Sequence, residues 1–422
     1  MDGRTADRDL RLTLGVLLLV YIFNFLDRQI VTILAEPIAR DLDLSDTQIG
    51  VLTGLAFALF YTAMGVPIAR IADRPTTNRV TVIVVSLAIW SGMTALCGLA
   101  QNFTQLLLAR FGVGVGEAGG TPPSHSLISD KAPPEKRASA FGIYQLGPPI
   151  GGLMGMVLGG VLADSIGWRQ AFMFVGLPGL LLALVVRLLV KDPRRTGTGA
   201  TTDPTGLTTG AALDAIWQSP TMRRMLAVSC FAPFALYGML IWTTIFFQRS
   251  HGLTAGETGV WFGLVNGIGA ILGVWGGGRL GDRTMKRGAQ HLLTVPALGL
   301  ILTCPFTVAA LLVADWHLAL ALLFPAVVMS WLYVAPFYSA VQGIVPPAAR
   351  AVASASILFV QNLVGLGLGP VALGFVSDRL KPAYGDDSVR YVLIVASLAA
   401  VAAGLILLSA RRPLAGELER YR

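Results

Sequence analysis

An all-α integral membrane protein, with twelve transmembrane helices in two pseudo-symmetric six-helix bundles, is the fold class this sequence predicts. Three observations carry that prediction: a composition too apolar for water, twelve apolar segments of spanning length, and cations gathered on one side of those segments. The 422 residues are 54% hydrophobic and only 13% charged, with a mean hydropathy of +0.67. A soluble chain carries about 25% charged residues, so roughly half of a water-facing surface is missing here. High apolar content, no Gly-X-Y period and three isolated cysteines (Cys97, Cys230, Cys304) exclude disordered, collagenous and disulfide-stapled classes.

Crossing the hydrocarbon layer takes about 20 apolar residues per helix. Segments of that kind run over residues 12–35, 47–71, 80–100, 103–129, 138–163 and 169–190 in the first half. In the second half they run over 223–248, 257–280, 290–313, 316–342, 351–377 and 391–410. The first run has no small-residue cleavage site and is read as a span, not as a signal peptide. Within the fifth, Gly147-Pro148-Pro149 and Gly151-Gly152 predict a kink and a close-packing face.

With both termini cytoplasmic, the inside segments hold 24 of the 32 Lys and Arg and the outside loops hold six. Arg28 and Arg110 remain within spans. Such a bias is what the positive-inside rule demands, so the net charge of +8 is a matter of topology and not of nucleic-acid binding. Arg outnumbers Lys 27 to 5, which suggests a GC-rich bacterium and places the chain in its inner membrane.

The chain also repeats itself. Ile71-Ala-Asp73-Arg74 after the second span recurs as Leu280-Gly-Asp282-Arg283 after the eighth. Pro133-Pro134 and Arg137 recur as Pro346-Pro347 and Arg350, and Asp164, closing the fifth span, recurs as Asp378, closing the eleventh. Matching offsets predict two six-helix halves, 1–191 and 221–422. Between them, 192–220 is rich in Thr, Gly and Pro and reads as a cytoplasmic linker, with one short interfacial helix near Ala211–Trp217.

Charges that no topology rule explains lie inside the spans. Asp27 and Arg28 sit in the first, within Asn24-Phe-Leu-Asp27-Arg28-Gln29; Arg110 and Glu117 sit in the fourth. Each costs at least about 2.5–3.5 kcal/mol at a helix centre, so all four should face the protein interior or a water-filled cavity. Seven residues is nearly two turns, which sets Arg110 and Glu117 about 10 Å apart on one face, with Gly114 and Thr121 on the same stripe. Asn24, Asp27 and Arg28 share one side of the first span. Mutual neutralisation in a structural ion pair is the plain alternative to a functional role.

Spans of the second half hold no acid at mid-depth, only Tyr237, Trp242, Asn266, Tyr333, Tyr338, Gln361 and Asn362. A cavity between the halves would be cationic and titratable on one wall, aromatic and amide on the other, which suits an amphipathic anion. Several lookalikes carry less weight. Gly114-x-Gly-x-x-Gly119 lies inside a span with no strand before it, so it does not mark a dinucleotide site. The four histidines are scattered and propose no metal, and Asn102-Phe-Thr104 fits a glycosylation acceptor only as a short triplet. No G-x-S-x-G, H-E-x-x-H or paired His is present, so no catalytic or cofactor site is expected and the protein is not read as an enzyme.

Twelve spans, the 6+6 repeat and the paired Asp73-Arg74 and Asp282-Arg283 loops resemble the major facilitator superfamily over essentially the whole chain, departing at Ala69 where that family usually has Gly. The Asn24–Gln29 stretch, Arg110-x6-Glu117-Ala and Gly167-Trp168-Arg169-x2-Phe172 look like the Spinster family, and are also similar to the anion:cation symporters of organic acids. The resemblance implies an alternating-access carrier acting as a monomer. Its cargo would be a lysolipid or sphingoid phosphate, or in the symporters a sugar acid or aromatic carboxylate. Arg28 and Arg110 would then meet the anionic head, Asp27 and Glu117 would carry the proton, and the two Asp-Arg loops would gate the halves.

Overall fold

The computed structural model describes residues 3–74, 76–193, 209–346 and 349–420. Every regular element among them is helical. In chain order these are α1 (Gly3–Leu42), α2 (Asp46–Gly50), α3 (Ala56–Asp73), α4 (Arg79–Cys97), α5 (Phe103–Glu117), α6 (Thr121–Lys131), α7 (Pro134–Tyr144), α8 (Gly147–Ile166) and α9 (Trp168–Leu189). There follow α10 (Thr209–Gln218), α11 (Pro220–Ser250), α12 (Ala255–Met285), α13 (Thr294–Leu312), α14 (Trp316–Trp331), α15 (Val334–Gly343), α16 (Arg350–Val360), α17 (Gly369–Tyr384) and α18 (Ser388–Arg420). Short π-helical stretches, Val51–Leu55 and Gln361–Leu368, join α2 to α3 and α16 to α17.

Among the described residues, ten stretches are long and apolar enough to cross a membrane. The last, Val352–Glu419, is 68 residues long and takes in both of the final two predicted segments. The fourth predicted segment is not among the ten. It is two helices, α5 and α6, broken at Ala118–Gly120, because Gly119-Gly120 disfavours helix and Pro122 and Pro123 bring no N–H to continue it. Pro148-Pro149 likewise divides α7 from α8 near the expected kink. The short helix expected near Ala211–Trp217 is α10, while residues 194–208 of the predicted linker lie outside the described residues.

Polar residues set several helix starts. Ser45 and Gln48 form a reciprocal capping box, Asn78 accepts from Val80 and Thr81, and Asp315 accepts from the N–H groups of His317 and Leu318. Those two N–H groups hold the exposed Asp315 carboxyl below the usual carboxylate range. Asn102, the glycosylation lookalike, accepts from the Gln105 N–H and caps α5.

Two compact units form, neither contiguous in the chain. Of the described residues, one takes those in Met1–Leu44, Ala56–Asp203 and Thr254–Val260; the other takes those in Ser45–Leu55, Pro204–Leu253 and Trp261–Arg422. In the first unit α8 lies along α1, and α4 packs on α5 and α9. Small residues permit these approaches. A Cβ added at Gly155 of α8 would stand 2.7 Å from the Leu26 carbonyl oxygen of α1. Gly155→Ala is therefore expected to destabilise the chain by about 1–3 kcal/mol, read as a lower melting temperature in detergent; an unchanged melt would show that α1 and α8 separate without cost.

In the second unit α18 packs on α11 and α13, and α17 packs on α2. Its core is continuous from Met222, Met225 and Val228 to Phe337, Ile357, Leu407 and Leu414. The two repeated acids do the same job in their respective units. In the first, Asp164 accepts from the Gly256 N–H at 2.8 Å; in the second, Asp378 accepts from the N–H groups of Asp46 at 2.9 Å and Thr47 at 2.8 Å. Each carboxylate meets the positive end of a helix. Asp46 is itself buried, its carboxylate accepting from Arg249 at 2.9 Å and from the Ser377 hydroxyl at 2.6 Å.

Candidate functional site

The first unit gathers Asn24, Asp27 and Arg28 of α1 with Arg110 and Glu117 of α5. All but Arg28 are nearly sealed from solvent, at 3% exposure or less, whereas the Arg28 side chain is 19% exposed. Arg28 Nε donates to Glu117 Oε2 at 2.6 Å, a charge-assisted bond across two helices. The guanidinium carbon of Arg28 also sits 4.9, 4.7 and 4.7 Å from the ring centroids of Phe25, Phe57 and Tyr61. Arg110 shares one of these rings, its guanidinium carbon 5.7 Å from the Phe57 centroid. Phe57 and Tyr61 are one helical turn apart on α3 and stack at 5.2 Å, so α3 supplies two walls of a cation-π box.

Asp27 takes a hydrogen bond from the Thr94 hydroxyl of α4 at 2.9 Å. Arg110 and Glu117 both lie close enough to act on its charge. Several buried polar atoms have no hydrogen-bond partner among the described residues: Asn24 Oδ1, Asp27 Oδ1, Glu117 Oε1 and Arg110 Nε. Such atoms are rare in a purely structural network, where a buried acceptor left unsatisfied costs about 1–3 kcal/mol. Two carboxylates and two guanidiniums thus share one site with acceptor and donor capacity to spare. Thr121, at the start of α6, is half-buried beside Tyr144.

Glycine permits the close approach of α3 and α5. A Cβ at Gly114 would meet the Phe57 carbonyl oxygen at 2.8 Å, so only glycine lets α5 bring Arg110 and Glu117 up to the aromatic wall.

In the second unit Tyr237, Tyr333 and Tyr338 are neighbours, and the Tyr338 hydroxyl donates to Gln361 Oε1 at 2.9 Å. Tyr333 is buried edge-on against Phe337. Gln361 and half-buried Asn362 open the π-helical stretch before α17, a backbone irregularity that recurs at functional sites. Asn266 lines a separate, mainly apolar crevice between α11, α12, α13 and α14, beside Thr303 and Ser330. Asp282 and Arg283 are exposed near the end of α12, and Arg74 is exposed beyond α3. The Asp73 side chain lies outside the described residues.

Sequence reasoning did not single out Thr94 or the aromatic box. It took Asp192 as the start of a linker. Arg79 is fully buried, its Nη2 donating to Asp192 Oδ1 at 2.6 Å and its Nη1 to Asp130 Oδ2 at 2.7 Å.

Buried, paired charges within a bundle of apolar helices are characteristic of membrane carriers, and comparison with known proteins agrees. The model of the Major Facilitator Superfamily matches residues 17–370. The chain is 34% identical over 391 residues to an MFS-type efflux pump of Mycolicibacterium smegmatis, covering 92% of this chain and 90% of that one. It is 26% identical over 414 residues to the hexuronate transporter of Bacillus subtilis, covering 95% and 94%. It is also similar, at a TM-score of 0.88 and 30% identity over 97% of this chain and 98% of the other, to the crystal structure of a bacterial homolog of the human lysosomal transporter Spinster in an inward-facing and unoccupied conformation. The chain belongs to the Major Facilitator Superfamily, as an integral membrane transporter of the Spinster type.

Proposed function

We propose that this chain is a proton-coupled, alternating-access transporter of an amphipathic anion, of the lysolipid or sphingoid-phosphate kind. The observation that carries the reading is the Arg28–Glu117 pair held beside Asp27 with unsatisfied oxygens on both acids. A proton reaching Glu117 removes the charge that Arg28 neutralises, and the guanidinium then becomes available to an anionic headgroup. Loss of that proton restores the pair and expels the anion. Proton and cargo are linked because both favour the same state of that arginine, the one released from Glu117.

In this reading Asp27 and Glu117 are the proton carriers. Arg28 and Arg110 bind the anion with Asn24 and Thr121 beside them, and Tyr237, Asn266, Tyr333, Gln361 and Asn362 contribute the aromatic and amide contacts. Asp73, Arg74, Asp282 and Arg283 act in gating. The helices make twelve crossings in two halves, 1–191 and 221–422, joined by 192–220, with both termini on the cytoplasmic side of the bacterial inner membrane. The chain works as a monomer with no cofactor. Its cation bias supports that orientation.

Flux in proteoliposomes under an imposed pH gradient tests the coupling. Wild-type transport of a lysophospholipid is expected to follow the gradient, and Asp27→Asn and Glu117→Gln to lose that response. A wild-type flux indifferent to the gradient, with both variants unchanged, removes the proton from the mechanism. The likeness to a hexuronate transporter favours a second reading, a sugar acid as cargo. Competition decides between them: a hexuronate that displaces bound lysophospholipid only at far higher concentration leaves the lipid reading in place.

A further inference from the structure

A second polar recess in the second unit shares no residue with the tyrosine and amide cluster. Arg224 of α11, Gln290 ahead of α13, and Leu408, Ser409, Arg411, Arg412 and Pro413 of α18 line it. Two of its three guanidiniums are held by neutral groups. Arg411 Nε donates to the Gln290 carbonyl at 3.1 Å, and Arg224 Nη1 donates to the Pro220 carbonyl at 3.3 Å. No carboxylate pairs with Arg224, Arg411 or Arg412 among the described residues. Glu417, the nearest acid along α18, is turned inward to the Ser219 hydroxyl at 2.5 Å and the Thr221 N–H at 3.2 Å. The positive-inside bias accounts for the sign of these charges but not for three of them around one recess with no acid.

The helix surface leading to the recess says what the counter-charge is attached to. Leu398, Leu405 and Arg412 follow one another at seven-residue spacing, nearly two turns each, so they lie on one stripe of α18. Val395 and Ser409 flank it at helical spacing. Val395, Leu398 and Leu405 are each more than half exposed, and Leu298 and Leu302 of neighbouring α13 are almost as open. On a chain that spans a membrane this is a face for acyl chains, and it ends in Ser409 and Arg412, where the apolar segment 391–410 gives way to charge.

We propose that this recess binds an anionic phospholipid by its phosphodiester, with the acyl chains lying along the Leu398–Leu405 stripe. A phosphate oxygen accepts from several guanidiniums at once, the geometry for which arginine is suited. Basic recesses at the ends of membrane helices hold anionic headgroups by the same attraction.

The test uses the full chain in detergent, titrated with phosphatidylglycerol, phosphatidylcholine or inorganic phosphate and read by thermal shift and by lipid retained in native mass spectrometry. Phosphatidylglycerol is expected to bind and raise the melting temperature, while phosphatidylcholine and inorganic phosphate at equal concentration do neither. Removing guanidiniums should weaken phosphatidylglycerol binding about fivefold each, as measured in R412Q and in the triple variant R224Q/R411Q/R412Q. Arg412 is exposed and makes no hydrogen bond among the described residues, so R412Q is expected to melt like the wild type without lipid and to keep the test readable should the triple variant not fold. Equal binding of the two lipids, or wild-type affinity for phosphatidylglycerol in R412Q, overturns the proposal. Inorganic phosphate binding as tightly as phosphatidylglycerol overturns it too, and makes the recess a site for free anions.

Discussion

Arg79→Ala is expected to destabilise the protein by about 3–5 kcal/mol, the usual penalty for removing one partner of a buried charge pair. Arg79 is 0% exposed and so is the side chain of Asp192. The arginine is held to Asp192 by side-chain bonds and by its backbone N–H at 2.8 Å, while Nη1 also reaches the Ser126 hydroxyl at 2.9 Å. One guanidinium therefore ties the start of α4 to α6 and to the chain leaving α9. Alanine would keep the N–H contact but leave two acids facing each other without the cation between them. Scanning fluorimetry of purified protein checks the size of the effect. Asp130→Asn, which leaves the Arg79–Asp192 bond whole, should cost clearly less, and equal losses in the two variants would mean that the pair is not the anchor.

Arg28→Ala is expected to abolish anion binding and, by itself, to cost a similar amount of stability, because the Glu117 carboxylate it neutralises is fully buried. A double-mutant cycle separates this from a general packing defect. Adding Glu117→Gln removes the stranded charge, so Arg28→Ala/Glu117→Gln should be more stable than Arg28→Ala alone, with a coupling in the range of about 0.5–3 kcal/mol seen for residues in direct contact. Binding should stay lost in the double variant, since the cation is still missing. Strict additivity of the two substitutions would show that Arg28 and Glu117 do not act as a pair.

Much of the site was legible because charge in an apolar span has to be accounted for. Asp27, Arg28, Arg110 and Glu117 stood out on cost alone, and Gly114 on the same stripe proved to be where α3 meets α5. Which arginine meets Glu117 was not legible. The bond is made by Arg28 of another helix, and the rotation of α1 against α5 leaves no trace in either segment. Thr94 was hidden for a related reason: a lone hydroxyl among apolar residues looks the same whether it bonds its own helix or a neighbouring acid. The burial of Asp192 was not legible because a sealed anchor and the first residue of a polar linker have the same composition. The break between α5 and α6 shows the reverse case, where Gly119-Gly120 and two prolines were in plain view and the apolar count outweighed them.

The three rings around Arg28 specify more than positive charge. Their centroids all lie within 4.9 Å of the guanidinium carbon, spacing that admits a flat, delocalised ion against aromatic faces. An ammonium is compact and strongly hydrated, and would enter this slot only by giving up its water. Lysine at position 28 would preserve formal charge while losing both the stacking and the directed bond to Glu117. Tolerance at this position should thus follow molecular shape, and a charge-conserving exchange there belongs with the disruptive ones.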